Sequence, residues 1–318
     1  KIRIAVWSVA TMLTAGVLLY LYFFLLFSEG SGPAGPVVSK AAFSSSWSER
    51  PVVLLGLGDS ITAGFGAKPK HSFFERLVEN PPDDFQEMQG IGLRIVLPKL
   101  TTENVSVNGS TSIECLEKQF DLLTAYPSDT FGIVVITTGG NDIIHMYGRI
   151  PPREGAMYGA TFEQAQPWIA NYEARLDGIV GKAMALFPGG CRIYLGNIYD
   201  PSDGLGTPEA GGLPPWKDML KVLAAYNECI GRCAEKYEAV ELVDIHAAFL
   251  GHGIACRRFW NEHYDSGDPH YWYFSNIEDP NDRGHDALRR LFLLKMAENL
   301  PHAMNASVPI PAEKRPES

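Results

Sequence analysis

Three short polar segments of the chain contain groups that could take part in acyl transfer. The motif G-D-S ends at Ser60, N-G-S is centred on Gly109, and G-N-D is centred on Asn141. A serine hydroxyl can act as a nucleophile, and backbone or amide N–H groups can stabilise the negative charge on an attacked carbonyl oxygen. The same residue types are common in helix caps and tight turns, so no single segment is diagnostic.

Each of these segments follows a predicted strand. Apolar runs predict strands at 52–57, 104–107, 133–137, 192–197 and 240–245. Helical patterns lie between and after them, at 73–79, 112–124, 162–187, 216–237 and 282–299. Apolar strands that alternate with helices indicate an α/β fold with a parallel sheet covered on both faces. Ligands bind such sheets at the carboxyl ends of the strands, where the three segments are expected to converge.

Taken together, the three segments resemble the sequence blocks of the SGNH, or GDSL, hydrolases. The resemblance extends from about residue 51 to about residue 300. It implies a three-layer α/β/α sandwich, flavodoxin-like, with a five-stranded parallel sheet. It also implies that Ser60 attacks an ester carbonyl, and that the oxyanion is held by the N–H groups of Ser60 and Gly109 and by the Asn141 side chain. No cofactor or metal is implied.

The general base is the part of the resemblance that leaves alternatives open. The last block of the family reads D-x-x-H and often continues as P-N-x-x-G-H. A literal match to the first pattern selects Asp282 and His285. A match to the second pattern instead puts Asp279 where the histidine is expected and Asn276 where the aspartate is expected. His285 would then be the trailing histidine of the block, inside the last predicted helix.

Two other histidines are alternative candidates for the base. His270 lies in the long loop before the last helix, and His252 follows the last predicted strand. Asp279 is an alternative acid partner. Each of these residues could instead be an ordinary surface or capping residue.

The same loop region raises two further possibilities. A metal site could be formed by His252, His263 and His270 with Asp265 and Asp268, but no helix fixes their spacing, so we expect no metal. Seven aromatic residues between positions 259 and 274 could line an acyl or sugar pocket, or could pack the loop onto the core.

The N-terminal part of the chain predicts a membrane segment. Residues 4–27 contain no charged side chain and are long enough to span a bilayer. Lys1 and Arg3 precede this stretch, which favours an extracytoplasmic body. We therefore expect an anchor or signal sequence at 1–28, a Ser/Gly/Pro/Ala-rich linker at 29–50, a hydrolase domain at 51–300 and a polar tail at 301–318. Cleavage of the N-terminal segment would instead make the protein secreted.

Charge and cysteine content exclude some classes of partner. The formal net charge is −10, and no basic stripe offsets it, which argues against nucleic acid as a partner. The five cysteines include no C-x-x-C pair, and an odd number leaves at least one unpaired within the chain. Oligomeric state is not indicated.

The sequence thus predicts a membrane-anchored, extracytoplasmic serine ester hydrolase. Its expected substrates are acyl esters of carbohydrate or lipid, cleaved through an acyl-serine intermediate. Two alternatives use the same fold. One is a non-catalytic ligand-binding module, suggested by the absence of a histidine at position 279, and the other is an acyltransferase that uses the same serine.

Overall fold

A five-stranded parallel sheet forms the centre of the protein in the computed structural model, which describes residues 2–305. The strands are β1 (Val52–Gly58), β2 (Leu100–Asn104), β3 (Phe131–Thr137), β4 (Cys191–Gly196) and β5 (Val240–Val243). Their spatial order is β2-β1-β3-β4-β5, and each neighbouring pair is parallel. The predicted α/β fold with a parallel sheet is therefore confirmed.

Helices precede, connect and follow these strands. They are α1 (Ile2–Phe24), α2 (Ser60–Ala63), α3 (Phe73–Val78), α4 (Leu93–Val96), α5 (Ser112–Glu114), α6 (Gly140–Ile144), α7 (Phe162–Ala185), α8 (Met219–Lys236), α9 (Ile245–Phe249) and α10 (Asp282–Asn305). The two longest helices of the body begin with favourable first turns: the Thr161 capping box precedes α7, and α10 carries Asp282 in its first turn.

The sheet is apolar on both faces because its side chains alternate between two cores. Val52 and Leu54 of β1 belong to the core that α3, α4, α9 and α10 cover, whereas Val53 and Leu55 face the core under α7 and α8. All four side chains are buried. This alternation produces the three-layer α/β/α arrangement.

Strand β2 lies earlier in the chain than predicted. The prediction of a strand at 104–107 was wrong by several residues, because β2 is an edge strand with mostly exposed polar side chains and no continuous apolar run. Backbone pairing nevertheless continues beyond it, since Val105 N donates to Gly56 O at 3.0 Å and Val107 N donates to Gly58 O at 3.1 Å. This extension carries the chain toward the Gly109 turn.

The predicted helix at 112–124 is also irregular. Helix α5 covers its first turn, a π-helical turn follows at Cys115–Gln119, and a 3₁₀ turn ends it at Phe120–Leu122. The π turn places Gln119 in a buried position beside the end of β1. Such turns inside helices are frequent at functional sites.

The segment expected to be a linker packs on the body. Its buried apolar side chains are Ala34, Val38, Phe43 and Trp47. Ala34 N donates to Asp286 Oδ2 at 2.9 Å, which ties the segment to α10. At the other end, α10 continues to Asn305, and positions 306–318 of the predicted tail lie outside the described residues.

Helix α1 is long and apolar enough to cross a membrane. The stretch Trp7–Phe24 is unburied in the structure, and within residues 2–305 it is the one candidate span.

All five cysteines are buried and free.

The strand order creates a topological switch point between β1 and β3. The chain leaves β1 toward β2 on one side and returns to β3 on the other, so a crevice opens at the carboxyl ends of these two strands. Helix α2, which begins at Ser60, and helix α6, which contains Asn141, start from this crevice.

Candidate active site

The turn after β1 fixes Ser60 at the first position of α2. Gly58 has a φ of +110°, and a Cβ on it would lie 1.8 Å from the carbonyl oxygen of Thr137, so only glycine fits. Asp59 caps the helix, because its carboxylate accepts a hydrogen bond from Ile61 N at 3.1 Å. Ser60 is half-buried and lines a cleft at the carboxyl ends of the strands.

Asn141 joins α6 to the turn that contains Gly109. Its side-chain Nδ2 donates to Ser110 O at 3.0 Å. Gly109 has a φ of +77° and is exposed, and it is not among the residues that line the cleft. The next residue of α6, Asp142, accepts a hydrogen bond from Ser112 N at 2.7 Å, which provides a second link to the same loop.

Gln119 holds the end of β1 to the Gly109 turn. Its Oε1 accepts from Gly58 N at 2.8 Å, and its Nε2 donates to Gly58 O at 2.7 Å and to Ser110 Oγ at 3.2 Å. Sequence reasoning missed both Gln119 and Asp142 as positioning residues. Asp142 stands in the recognised G-N-D motif, whereas nothing in the local pattern singles out Gln119.

The cleft beside Ser60 has mainly apolar walls. It encloses about 1000 Å³, part of which is open to solvent. Its apolar lining includes Ile61, Ile144, Ile198, Leu213, Met219 and Leu223. The acidic residues that line it are Asp59, Asp200, Glu278 and Asp279, and the lining contains no lysine, arginine or histidine.

Burial raises the pKa of three of these acids. The pKa of Asp59 is raised to about 7, despite hydrogen bonds from Thr137 and Ile61 that favour its charged form. The pKa of Glu278 is raised to about 7, mainly by burial and secondarily by the charge of Asp279. Burial also raises the pKa of Asp279 above its ordinary value. Three acids that hold protons more tightly than usual therefore line the cleft with Ser60.

Asp279 is the lining acid that interacts with Ser60. The Ser60 side chain favours the ionised form of the Asp279 carboxyl group. Asn276 Nδ2 donates to Asp279 Oδ2 at 2.6 Å. The structure thus brings together Ser60, Asn276 and Asp279, as the second of the two alignments places them.

His285 lies outside the cleft, within α10. Its Nδ1 accepts from Phe73 N at 3.2 Å and its Nε2 donates to Phe65 O at 2.9 Å, so both ring nitrogens are occupied. Complete burial lowers its pKa to about 4. The structure therefore does not bring His285 to Ser60, because the first turns of α10 direct this histidine into the core.

Asp282 is also directed away from the cleft. Its carboxylate lies 3.4 Å from Arg76 Nη2 and 3.6 Å from Lys68 Nζ. These cations lower its pKa against the effect of burial. Asp282 therefore holds α10 to the loop and helix that follow α2.

The two alternative histidines lie together in another part of the loop region. His270 Nδ1 is 2.6 Å from Asp268 Oδ1, and Arg283 Nη2 is 2.8 Å from the second oxygen of that carboxylate. The His252 ring stacks on Trp272 with 3.4 Å between centroids. Neither histidine lines the Ser60 cleft. No group of three or more potential metal ligands occurs among residues 2–305.

The aromatic stretch between 259 and 274 does not line the cleft either. Tyr271, Trp272 and Tyr273 are buried in the core between the sheet and α10. Phe259 and Trp260 are exposed, and both rings contact Phe23 of α1. Packing on the body and on α1 therefore accounts for these five aromatic residues.

The pKa of Asp59 predicts a pH-dependent stability difference. Between 3.8 and about 7 the folded chain keeps a proton on Asp59 that the unfolded chain loses, so this residue lowers stability as pH rises. The Asp59→Asn variant lacks this titration. Relative to that variant, the wild type should lose about 1.4 kcal/mol of unfolding free energy per pH unit up to pH 7. Urea unfolding of both proteins at pH 5 and pH 8 would measure the difference, and a constant difference would contradict the prediction.

Comparison of the chain with known proteins identifies a matching family and several similar solved structures. A family model for the "GDSL-like Lipase/Acylhydrolase family" matches residues 57–287. Among solved structures, phospholipase A1 from Streptomyces albidoflavus NA297 is 17% identical to this chain, with a TM-score of 0.49. The match covers 78% of this chain and 100% of the phospholipase.

Two further similar structures are an extracellular lipase and an acetylxylan esterase. The lipase from Streptomyces rimosus is 17% identical with a TM-score of 0.48, over 78% of this chain and 99% of the lipase. The esterase from Geobacillus stearothermophilus is 18% identical with a TM-score of 0.45, over 78% of this chain and 94% of the esterase. No curated protein matches the chain. Because the family model matches most of the chain, the protein belongs to the GDSL-like lipase/acylhydrolase family of ester-hydrolysing enzymes.

Proposed function

We propose that the protein is a membrane-anchored, extracytoplasmic hydrolase of acyl esters, with Ser60 as its nucleophile. The observation that carries this proposal is the position of Ser60, at the start of α2 and at the edge of an apolar cleft that Asn141 also lines. A hydroxyl at the carboxyl end of a parallel strand can reach a carbonyl bound in the crevice.

In the proposed reaction, Ser60 Oγ attacks the acyl carbon and forms a tetrahedral intermediate. The N–H groups of Ser60 and Gly109 and the Asn141 side chain donate hydrogen bonds to its oxyanion. The alcohol then leaves, and water hydrolyses the acyl-Ser60 ester. The hydrogen bond from Asn141 to Ser110 O and the Gln119 bridge support this role, because they hold the three donors in one region of the structure.

The cleft favours an apolar acyl group. Its aliphatic walls can bury a hydrocarbon chain, at about 0.8 kcal/mol per methylene, but offer few hydrogen-bond partners to a sugar ring. Its four acids and the absence of cationic residues in its lining disfavour a negatively charged acyl group. Of the two substrate classes expected from the sequence, we therefore propose lipid-like esters rather than O-acetylated carbohydrates.

The end of α1 supports membrane anchoring. Arg257 lies over the ring of Tyr22 at 4.5 Å, and Arg258 lies over the ring of Phe24 at 4.4 Å. Trp260 contacts Phe23 and is largely exposed. Aromatic and basic residues of this kind are enriched where a spanning helix leaves the bilayer. The contacts would place the body directly at the membrane surface.

Replacement of the proposed nucleophile should remove the activity. Ser60→Ala should abolish covalent labelling by a fluorophosphonate probe and lower kcat by about 10³-fold or more. Ser266→Ala changes an exposed serine of the loop before α10 and is the matched control, which should label like wild type. Labelling of the Ser60→Ala protein at the wild-type rate, or no labelling of folded wild type, would argue against this function. The second result would favour a non-catalytic binding module.

Acyl chain length should affect turnover if the apolar cleft binds the acyl group. With p-nitrophenyl esters, kcat/KM should rise from acetyl to octanoyl by roughly fourfold per methylene until the cleft is filled. A Met219→Lys variant places a charge in the wall and should reduce the preference for long chains without removing acetyl ester hydrolysis. A preference for acetyl esters in wild type would contradict the lipid-like substrate and point to carbohydrate O-acetyl groups.

Membrane anchoring can be tested by fractionation. After expression in a bacterial host, the full chain should stay with membranes through an alkaline carbonate wash, because a spanning helix is not released by loss of charge interactions. Protease added to spheroplasts should digest the body. Release by carbonate would show peripheral attachment or cleavage of α1, and protection from protease would show the opposite orientation.

A further inference from the structure

Asp279 occupies the position beside Ser60 where a general base would act. It lines the Ser60 cleft and is buried. The side chains that favour its charged form are those of Ser60 and Asn276. Its Oδ1 is buried and has no partner of ordinary hydrogen-bond geometry among the described residues. One carboxylate oxygen is thus held by Asn276 and the other remains available to accept a proton.

Asn276 fixes the orientation of this carboxylate. Its Nδ2 donates to Asp279 Oδ2 at 2.6 Å, while its Oδ1 accepts from Asp279 N at 3.2 Å. The intervening Ile277 has a φ of +66°, an unfavourable conformation for a β-branched residue. Such strain is kept only where surrounding contacts impose it, and it is common at functional sites.

The neutral side chain of Asn276 suits a carboxylate base at position 279. A histidine base becomes a cation when it takes a proton, so an aspartate beside it stabilises the product of proton transfer. A carboxylate base becomes neutral instead. A second carboxylate at position 276 would repel its charged form, whereas an asparagine of the same shape donates a hydrogen bond to it. Asn276 and Asp279 therefore form a complete orienting pair for a carboxylate base.

The surroundings also favour proton uptake by Asp279. Burial raises its pKa, and its charge in turn raises the pKa of Asp59 and of Glu278, which line the same cleft. Tyr199, which also lines the cleft, donates its hydroxyl to Glu278 O. A carboxylate whose conjugate acid has a raised pKa is a stronger base than a solvated one.

We propose that Asp279 is the general base of Ser60 and that Asn276 is its positioning residue, so that the enzyme uses a serine–aspartate pair instead of serine and histidine. This proposal rests on the function proposed above, with Ser60 as nucleophile.

The reaction balances without any other group. As Ser60 Oγ bonds to the acyl carbon, its proton moves to Asp279, which becomes a neutral acid. Asp279 then gives this proton to the alcohol oxygen as the ester C–O bond breaks. In the second half, Asp279 takes a proton from water as the hydroxide oxygen bonds to the acyl carbon, and returns it to Ser60 Oγ when the acid leaves.

The test compares the full chain in detergent with Asp279→Asn, which keeps the shape and removes the basicity. We expect kcat/KM and the rate of fluorophosphonate labelling to fall about 10²–10⁴-fold, with the same melting temperature. Glu262→Gln, which neutralises an exposed acid of the loop before α10, should match wild type and serves as the control. Activity of Asp279→Asn within tenfold of wild type would overturn the proposal.

A pH profile separates a base from a merely structural residue. Wild-type kcat/KM should rise with pH as Asp279 ionises, and the residual activity of Asp279→Asn should lack that rise. Glu278→Gln should keep it, with a shifted midpoint, because Glu278 and Asp59 influence the titration without accepting the serine proton. If kcat/KM of Asp279→Asn rose with pH as it does in wild type, another group would be responsible for the rise, and the proposal would be overturned.

A double variant covers the case in which Asp279→Asn does not fold. Asn276→Asp together with Asp279→His creates the D-x-x-H arrangement at the same positions. Activity and Ser60 labelling in this variant would support position 279 as the site of the base, and a folded but inactive variant would oppose it. If wild type itself shows neither labelling nor ester hydrolysis, the proposed function fails rather than the choice of base.

Discussion

The active-site region depends on the close approach between the backbone of Gly58 and the carbonyl group of Thr137. The approach requires a residue without a Cβ, and Asp59 N then donates to the same carbonyl at 3.0 Å. The Asp59 carboxylate also accepts from Thr137 Oγ1 at 2.7 Å. Because these contacts join the ends of β1 and β3, the residues that follow the two strands, Ser60 and Asn141, enter one crevice from fixed directions.

The apolar cleft has two physical effects that cannot be separated. Walls such as Ile198 and Leu223 exclude water, which favours binding of a hydrocarbon chain. The same exclusion of water removes solvation from the carboxylates of Asp59, Glu278 and Asp279, and so raises their pKa values. A cleft with apolar walls therefore also makes its own acids better proton acceptors.

The sequence was sufficient to predict the fold and the first three blocks, because these depend on local features. Ser60 and Asn141 each follow a strand that is apolar throughout, so their position in the crevice comes from chain connectivity. The position of Asp279 depends instead on long-range contacts. One of them is the close packing of Gly66 on the next residue, Pro280, because a Cβ added to Gly66 would lie 2.1 Å from Pro280 O. The burial of residues 29–50 is likewise a long-range effect that a composition rich in small residues does not reveal.

A carboxylate base changes what the oxyanion hole must do. In a serine–histidine pair, the oxyanion forms near an imidazolium cation, which offsets part of its charge. In the proposed pair, Asp279 is neutral at that moment and the cleft lining contains no cation, so neutral donors must supply the stabilisation. Such donors are effective when they are fixed before the reaction. The hydrogen bonds of Asn141 with Ser110 and of Gln119 with Gly58 provide this rigidity, which is why these contacts matter as much to the proposed chemistry as the base does.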